Sequence, residues 1–315
     1  MDRTGILVTG GAGYIGRHLC KMLHDRGQRF VILDSFINSD EALIPDGWAY
    51  VKGDIRDSGL VADICARFNV AACFHLAGLS IVSESVAEPF RYMDFNLNGT
   101  AKLVDGLTEA GVDRIIFSSS CAVYGDPLYL PIDEAHPTVP MSPYGESKLA
   151  AEKLLEGTNL RVGILRYFNA AGGKLGEFHY PETHLIPKVV AALIAGRDID
   201  VYGSTYPTYD GTAIRDYVHV DDIARAHLMA LAYIGLNPGT HTWNIGTSAG
   251  MSVMSIISLA SDIMDGKFSV RFLPGRPGDP PMLTADFRKA YRELGWEPTL
   301  GIGSMLRDAI SLYKT

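Results

Sequence analysis

A chain of 315 residues, 47% apolar and 20% charged, has the composition of a folded globular protein and is long enough for two lobes. Its net charge of -8 and its lack of any Lys/Arg cluster exclude a nucleic-acid-binding surface and are read as solubility. The longest apolar stretches, residues 228–236 and 253–259, are too short to span a bilayer, and the run at 5–8 is too short for a signal-peptide core. A cytoplasmic protein with its encoded N-terminus retained is the expectation. Cys20, Cys65, Cys73 and Cys121 lie in apolar segments without CxxC spacing, so buried thiols are expected rather than disulfides or zinc ligands.

In chain order, residues 6–9 read as a strand, 10–16 as a glycine turn, and Ile15, Leu19, Met22 and Leu23 as the apolar stripe of a helix stopped by Gly27. Strands follow at 30–33, 49–51, 71–76, 115–117 and 162–165, with helices predicted at 60–68, 90–110 and 144–155. This alternation is the pattern of a parallel sheet covered on both faces, so the fold class is α/β, a doubly wound parallel Rossmann sheet with a smaller α/β lobe. After Arg166 the pattern changes. Glycines and aromatics crowd 167–180 and 203–211, loop-rich stretches of the kind that carry binding residues. Helices are predicted at 185–194, 223–231, 253–264 and 304–313, and a strand at 268–272.

Gly10, Gly13 and Gly16 fall between the first strand and the first helix. There Gly10 permits a tight turn, Gly13 lets the backbone approach a pyrophosphate, and Gly16 lets helix and strand pack closely, while the helix N-terminus favours negative charge. Asp34 ends the second strand about 20 residues on, where it can accept hydrogen bonds from a ribose. Its carboxylate would repel a 2′-phosphate, which favours NAD over NADP. The alternative is a glycine-rich turn without a ligand.

Tyr144 and Lys148 stand four residues apart, and Ser118, Ser119 and Ser120 end a strand upstream. On a helix the first two share a face, where an ammonium can stabilise a tyrosinate. A free phenol titrates near pH ~10, so a nearby cation is the kind of device that makes one a usable base at neutral pH. The same spacing also occurs on solvated helix faces.

Together the GxxGxxG spacing and the Ser120, Tyr144, Lys148 set resemble the short-chain dehydrogenase/reductase superfamily. Length and a second lobe point to its extended branch. Several strings are similar to the UDP-glucose 4-epimerase family: LDS at 33–35, GDIRD at 53–57, SSS and VYG within 118–125, RYFN at 166–169, YPT and DGT within 206–212, and RDYVHV at 215–220. The resemblance covers almost the whole chain, and RYFN with the YPTxDGT…RDYVHV block is its most specific part.

The resemblance implies that Ser120 hydrogen-bonds the reacting oxygen, Tyr144 exchanges the proton, and Lys148 lowers the tyrosine's pKa while holding the nicotinamide ribose. It implies an NAD site lined by Gly10, Gly13, Tyr14, Ile15, Gly16, Asp34, Asn38, Asp54, Ile55, Leu76, Ala77, Gly78, Asn96, Ser118, Tyr144, Lys148, Tyr167 and Phe168, with Asp54 and Ile55 flanking the adenine. Ser120, Tyr144, Asn169, His184, Leu185, Val201, Tyr202, Arg215, Arg276, Asp279 and Leu283 would hold the UDP-sugar. Guanidinium forks at 215 and 276 suit diphosphate oxygens, with an ion pair as the plain alternative for each. No metal is implied: His219 would end a strand before a helix capped by Asp221 or Asp222. His75, in an apolar strand, is expected to be a core histidine. The implied domains are 1–170 with about 213–248 for NAD and 171–212 with 249–315 for the UDP-sugar. A homodimer through 90–110 and 144–155 is implied as well.

Three departures from the family pattern stand out. Ser80 replaces a lysine found after the Ala-Gly-Leu turn in many epimerases, and the segments 172–181 and 38–48 are short. Leu283 stands where some epimerases have a tyrosine that crowds the sugar's C2 substituent. The implied activity is therefore interconversion of UDP-glucose with UDP-galactose, and of UDP-GlcNAc with UDP-GalNAc, through a 4-keto sugar and bound NADH. The same machinery would serve a UDP-pentose or UDP-uronic acid. An NDP-sugar 4,6-dehydratase would need Thr-Asp-Glu where Ser120, Cys121 and Ala122 stand, and a non-catalytic NAD-binding protein would not need the intact Ser120, Tyr144 and Lys148.

Overall fold

Alternating apolar residues in the first strand decide the layering, because Ile6 and Val8 face one helical layer while Leu7 faces the other. The structure, a computed structural model, describes residues 4–173, 184–276 and 279–313. Most of the shortened 172–181 segment, and Gly278, therefore lie outside the described residues.

The central sheet contains β1 (Gly5–Thr9), β2 (Phe30–Asp34), β3 (Tyr50–Lys52), β4 (Val70–His75), β5 (Arg114–Ser120), β6 (Arg161–Tyr167) and β10 (Thr240–Ile245). All pairs are parallel, in the order β10-β6-β5-β4-β1-β2-β3. The chain reverses its direction of travel across the sheet between β1 and β4, and a crevice at such a switch point is where ligands of open α/β sheets bind. Six of these strands match the sequence expectation. β10 was not foreseen: its first half is polar and only Trp243, Asn244 and Ile245 are buried, so pairing with β6 decides its conformation.

Helices α1 (Tyr14–Asp25) and α8 (Val220–Leu236) cover one face, packing Leu19, Leu23, Ile223 and Ala230 on Val8, Phe74 and Leu165. On the other face α2 (Ser58–Arg67), α5 (Gly99–Glu109) and α6 (Pro143–Glu156) pack Ile64, Leu107 and Leu155 on Leu7, Val31 and Ile115. The expected helix at 90–110 is interrupted. A short α3 (Val82–Ala87) precedes α4 (Pro89–Tyr92), and a π-helical turn over Met93–Asn98 joins α4 to α5. Single π turns of this kind often sit at functional sites.

The smaller lobe has a sheet of β7 (Asn169–Ala171), β9 (Ile214–His219), β11 (Gly250–Ser252) and β13 (Met282–Leu283), and a pair formed by β8 (Ile199–Tyr202) and β12 (Val270–Leu273). Helices α7 (Leu185–Ala195), α9 (Val253–Met264) and α11 (Ile302–Leu312) surround a core containing Val190, Val201, Ile257 and Leu306. α10 (Arg288–Leu294) returns to the large sheet, placing Ala290 beside Trp243 and Trp296. β9 pairs in the smaller sheet, whereas α8 and β10, which follow it, join the large one.

Candidate active site

Glycines build the floor of the cleft at the switch point. Gly10 has φ +69°, and a Cβ there would lie 2.5 Å from the Ala77 nitrogen at the end of β4. At Gly16 a Cβ would sit 2.2 Å from the Gly10 carbonyl oxygen, an overlap of a kind that costs about 1–3 kcal/mol. Gly13 is the N-cap of α1 and brings no side chain to that helix end. The Asp34 carboxylate ties the loops together, accepting hydrogen bonds from Ala12 N at 3.0 Å, Phe36 N at 2.9 Å and Ser39 Oγ at 3.0 Å. Gly10, Gly13, Asp34, Asn38, Asp54, Ile55, Leu76, Ala77 and Gly78 all line this cleft. A backbone cradle with a carboxylate at its ribose end fits an NAD molecule, and the residues present suit it.

Ser142 caps α6, accepting a hydrogen bond from Gly145 N at 3.2 Å, and Pro143 occupies the first turn, where its missing N–H is harmless. The helix carries Tyr144 and Lys148 inward rather than onto a solvated face, at 9% and 5% exposure. Lys148 Nζ donates to the Ser118 carbonyl at 3.0 Å and lies 4.9 Å from the Phe117 ring centroid. Tyr144 packs with Leu79 and Tyr92, and Ser120 at the end of β5 lies close enough to its phenol to favour ionisation. A proton acceptor, a hydroxyl and an ammonium thus converge beside the glycine floor, where a Cβ on Gly78 would come 3.3 Å from Lys148 Nζ.

Electrostatics correct one expectation. Burial pushes the Tyr144 phenol up to about 12, only partly opposed by the Ser120 hydrogen bond, and burial brings Lys148 down to about 8 against the pull of Glu152. The phenol therefore lies above its ordinary value rather than below it, since desolvation opposes both charges, and the Lys148 ammonium is directed to the Ser118 carbonyl.

Several expected NAD residues support the cleft from behind it. The Tyr167 side chain is buried, its hydroxyl bonded to Ser118 Oγ at 2.8 Å and His227 Nε2 at 2.7 Å, so it has no side-chain group to offer a cofactor. Phe168 packs with Val123, Tyr124 and Ile132, and Ile15 packs on the core under α1. Asn96 stands in the π turn; its amide nitrogen donates to Leu79 O at 3.0 Å and Ser147 Oγ at 2.8 Å, and its oxygen accepts from Leu79 N at 2.8 Å. It fixes the strand-end loop against α6. Tyr14 donates to Gly172 O at 2.5 Å, linking the glycine turn to the smaller lobe.

On the sugar side, Asn169 is partly exposed in β7 and Leu283 pairs with Arg215 between β13 and β9. Arg215 is held by the Asp279 carboxylate and by Ile214 O at 2.7 Å, the ion-pair arrangement considered as the plain alternative. Arg276 lies 4.2 Å from the Tyr202 ring centroid. His184 is exposed at the start of α7, next to the partly buried Leu185. Val201 is fully buried in the smaller lobe's core, which removes its side chain from substrate contact because alternate residues of β8 face opposite ways.

Ser39 and Phe95 line the cleft without having been foreseen. Ser39 has only its distance from Asp34 as a signal, and Phe95 is aimed by a π turn that apolar periodicity does not reveal. His219, not Asp221 or Asp222, is the N-cap of α8, since its Nδ1 accepts from Asp221 N at 3.1 Å while Nε2 bonds Asp308 at 2.9 Å. Among the described residues no group of three His, Cys, Asp or Glu could hold a metal ion. His75 is a buried core histidine bonded to Thr9 and Thr100, and burial holds it neutral, down to about 3. Cys20, Cys65 and Cys73 are buried and Cys121 partly so, all as thiols.

The parallel sheet, the glycine cradle, the buried Tyr144 and Lys148 and the partly buried Ser120 define a Rossmann-type enzyme that works on a nicotinamide cofactor. Residues 6–246 match the sequence model of the NAD dependent epimerase/dehydratase family, and the chain belongs to that family. It is 40% identical to a UDP-glucose 4-epimerase of Halalkalibacterium halodurans, covering 98% of this chain and 95% of the relative. Among solved structures, a UDP-glucose 4-epimerase from Stenotrophomonas maltophila with bound NAD and formylated UDP-arabinopyranose superposes with TM-score 0.94 at 36% identity, over 99% of this chain and 98% of that one. A UDP-Glc/GlcNAc 4-epimerase from Campylobacter jejuni superposes with TM-score 0.84 at 32% identity, over 99% of each chain. Among the described residues no helix is long and apolar enough to cross a membrane.

A pH dependence of stability follows from Lys148. Its pKa is about 8 in the folded protein against 10.5 for an unperturbed lysine, so between those values the unfolded chain holds a proton that the folded one has released. Stability contributed by this site therefore rises with pH across that window. Denaturant titrations of the nucleotide-free protein should show the wild type gaining on Lys148→Met from pH 8 to 10.5; a flat or falling difference would contradict the burial effect.

Proposed function

We propose that the chain is a UDP-hexose 4-epimerase that interconverts UDP-glucose and UDP-galactose. The observation that carries this reading is the convergence of Ser120, Tyr144 and Lys148 on the glycine-floored cleft, in a chain whose relatives bear that activity's name. Tyr144, as phenolate, takes the proton of the sugar's 4-hydroxyl and becomes the neutral phenol, and Ser120 donates a hydrogen bond to the same oxygen as it becomes a carbonyl. NAD held by Gly10, Gly13 and Asp34 would supply a reversible hydride acceptor for C4. Tyr144 then gives its proton back, so the phenol serves both halves of the cycle. Lys148, anchored on Ser118, supplies positive charge in a site where burial disfavours a phenolate. Arg215 and Arg276 keep the diphosphate in place while the ketopyranose turns over, and this remote binding energy prevents loss of the intermediate.

Leu283 is smaller than the tyrosine found there in some epimerases, which leaves room for an N-acetyl group at C2. The wider substrate range, UDP-GlcNAc with UDP-GalNAc, rests on this residue. A homodimer is supported by an apolar stripe along α4, the π turn and α5: Phe90 is 89% exposed, and Met93, Leu97, Ala101 and Val104 are partly exposed. Leu149, Ala150 and Leu154 extend it onto α6. Four thiols without disulfides suit a reducing cytosol, which recovery in the cytosolic fraction would check.

Tyr144→Phe should keep the fold and the bound nucleotide while kcat falls by roughly 10²- to 10⁴-fold; near-normal turnover would sink the assignment. Incubation with UDP-galactose and with UDP-GalNAc should yield both 4-epimers, and Leu283→Tyr should selectively abolish the second conversion. Activity on the unsubstituted pair alone in the wild type would refute the wider pocket. Light scattering should report twice the 34.2 kDa of one chain, and Phe90→Glu should shift the mass toward the monomer; a monomeric wild type would exclude the dimer.

A further inference from the structure

Behind the reacting groups lies an ion pair that the reaction as described does not use. Glu152 is fully buried and Arg166 is 6% exposed. The two form a bidentate contact, with Arg166 Nε donating to Glu152 Oε1 at 3.0 Å and Nη2 donating to Oε2 at 2.6 Å. Ser119 Oγ donates to the same carboxylate. The third guanidinium nitrogen, Nη1, meets the Tyr124 hydroxyl at 3.0 Å, and that hydroxyl donates to Asn244 at 2.7 Å.

Spacing gives the pair its meaning. Tyr144, Lys148 and Glu152 follow one another at successive turns of α6, so they share its inward face. Opposite them the end of β5 offers three consecutive serines: Ser120 favours ionisation of Tyr144, the Ser118 carbonyl takes Lys148, and Ser119 bonds Glu152. Ser119 and Arg166 are register partners across β5 and β6, so one carboxylate fastens the helix to both strands. Stability alone does not call for such a pair, because apolar residues of similar volume commonly serve a core as well.

We propose that Glu152, clamped by Arg166 and Ser119, is a positioning residue for the reaction: it sets the register of α6 against the strand-end serines and provides a fixed negative charge one turn from Lys148. Glu152 acts through Lys148 and does not touch substrate. The groups facing Lys148 are Tyr144 and Glu152 on α6, the Ser118 carbonyl and Phe117 ring on β5, and His75 on β4, with the neutral Asn96 nearby in the π turn. His75 stays neutral in this site, and Arg166 is paired with Glu152. The Glu152 carboxylate is thus the fixed charge that favours the ammonium.

This inference rests on the epimerase reading for its assay. In Glu152→Gln holoenzyme kcat should fall at least roughly tenfold with KM changed by less than about twofold, and the basic limb of the pH profile should move down by about one unit. Arg166→Lys, which keeps the charge, should lower the Tm and leave that limb in place. Because Glu152→Gln leaves Arg166 buried without its partner, the double variant Glu152→Gln/Arg166→Met serves as the second test. With no charge left unpaired it should melt near the wild type and still lose kcat. Wild-type kcat and an unmoved basic limb in either folded variant overturn the proposal, as does a change confined to Tm. A wild type inactive on UDP-sugars would instead count against the epimerase reading. The Glu152 claim is then decided by the Lys148 pKa, read from the pH dependence of denaturant stability relative to the matching Lys148→Met variants: Glu152→Gln should lower that pKa, and an unchanged value overturns it.

Discussion

Burial of two ionisable groups on one helix face governs the rest of the site. Tyr144 must ionise to a phenolate before it can accept a proton and the ammonium of Lys148 must stay charged, yet desolvation opposes both charges. The surroundings read as answers to that conflict. The Ser118 carbonyl receives the ammonium, the Ser120 hydroxyl favours the phenolate, and Glu152 adds a negative charge one turn away. The same dryness that penalises the charges strengthens every interaction between them and a reacting oxygen.

Sheet topology explains why these groups meet. Asp34, His75, Ser120 and Tyr167 each end a parallel strand, so the loops that follow them open on one edge of the sheet. Gly10 and Ala77 come within contact at the switch point because neither loop carries bulk there. The Asn96 amide then fixes the loop after β4 to Ser147 on α6, joining the cofactor cleft to the helix that holds Tyr144 and Lys148.

Much of this was legible in the sequence wherever a residue's role is set by its immediate neighbours. The strands β1 to β6, the glycine turn, the ribose acid and the Tyr144, Lys148 pair all announce themselves through short-range pattern. β10 did not, because a half-polar edge strand depends on its partner β6 rather than on its own composition. The π turn has no periodic signature, so the aim of Phe95 and Asn96 was out of reach. Nothing in the sequence pairs Glu152 with Arg166, which meet because α6 packs against β6. At His219 a side-chain nitrogen took the capping role usual for Asp, and the aspartates after it were committed elsewhere: Asp221 to His18, Asp222 to Thr299 and Leu300. The sign of the Tyr144 shift also lay beyond sequence, since it depends on how deeply the helix face is buried.

The central claim is that the hydrogen removed from the sugar's C4 returns to the same carbon while the Tyr144 proton shuttles on and off the 4-oxygen. Incubating the purified protein with UDP-galactose deuterated at C4 tests this most directly, by resolving the UDP-glucose formed and locating the label. Deuterium fully retained at C4, in unlabelled water, is the predicted result. Loss of the label to solvent, or its appearance at another carbon, would contradict the account.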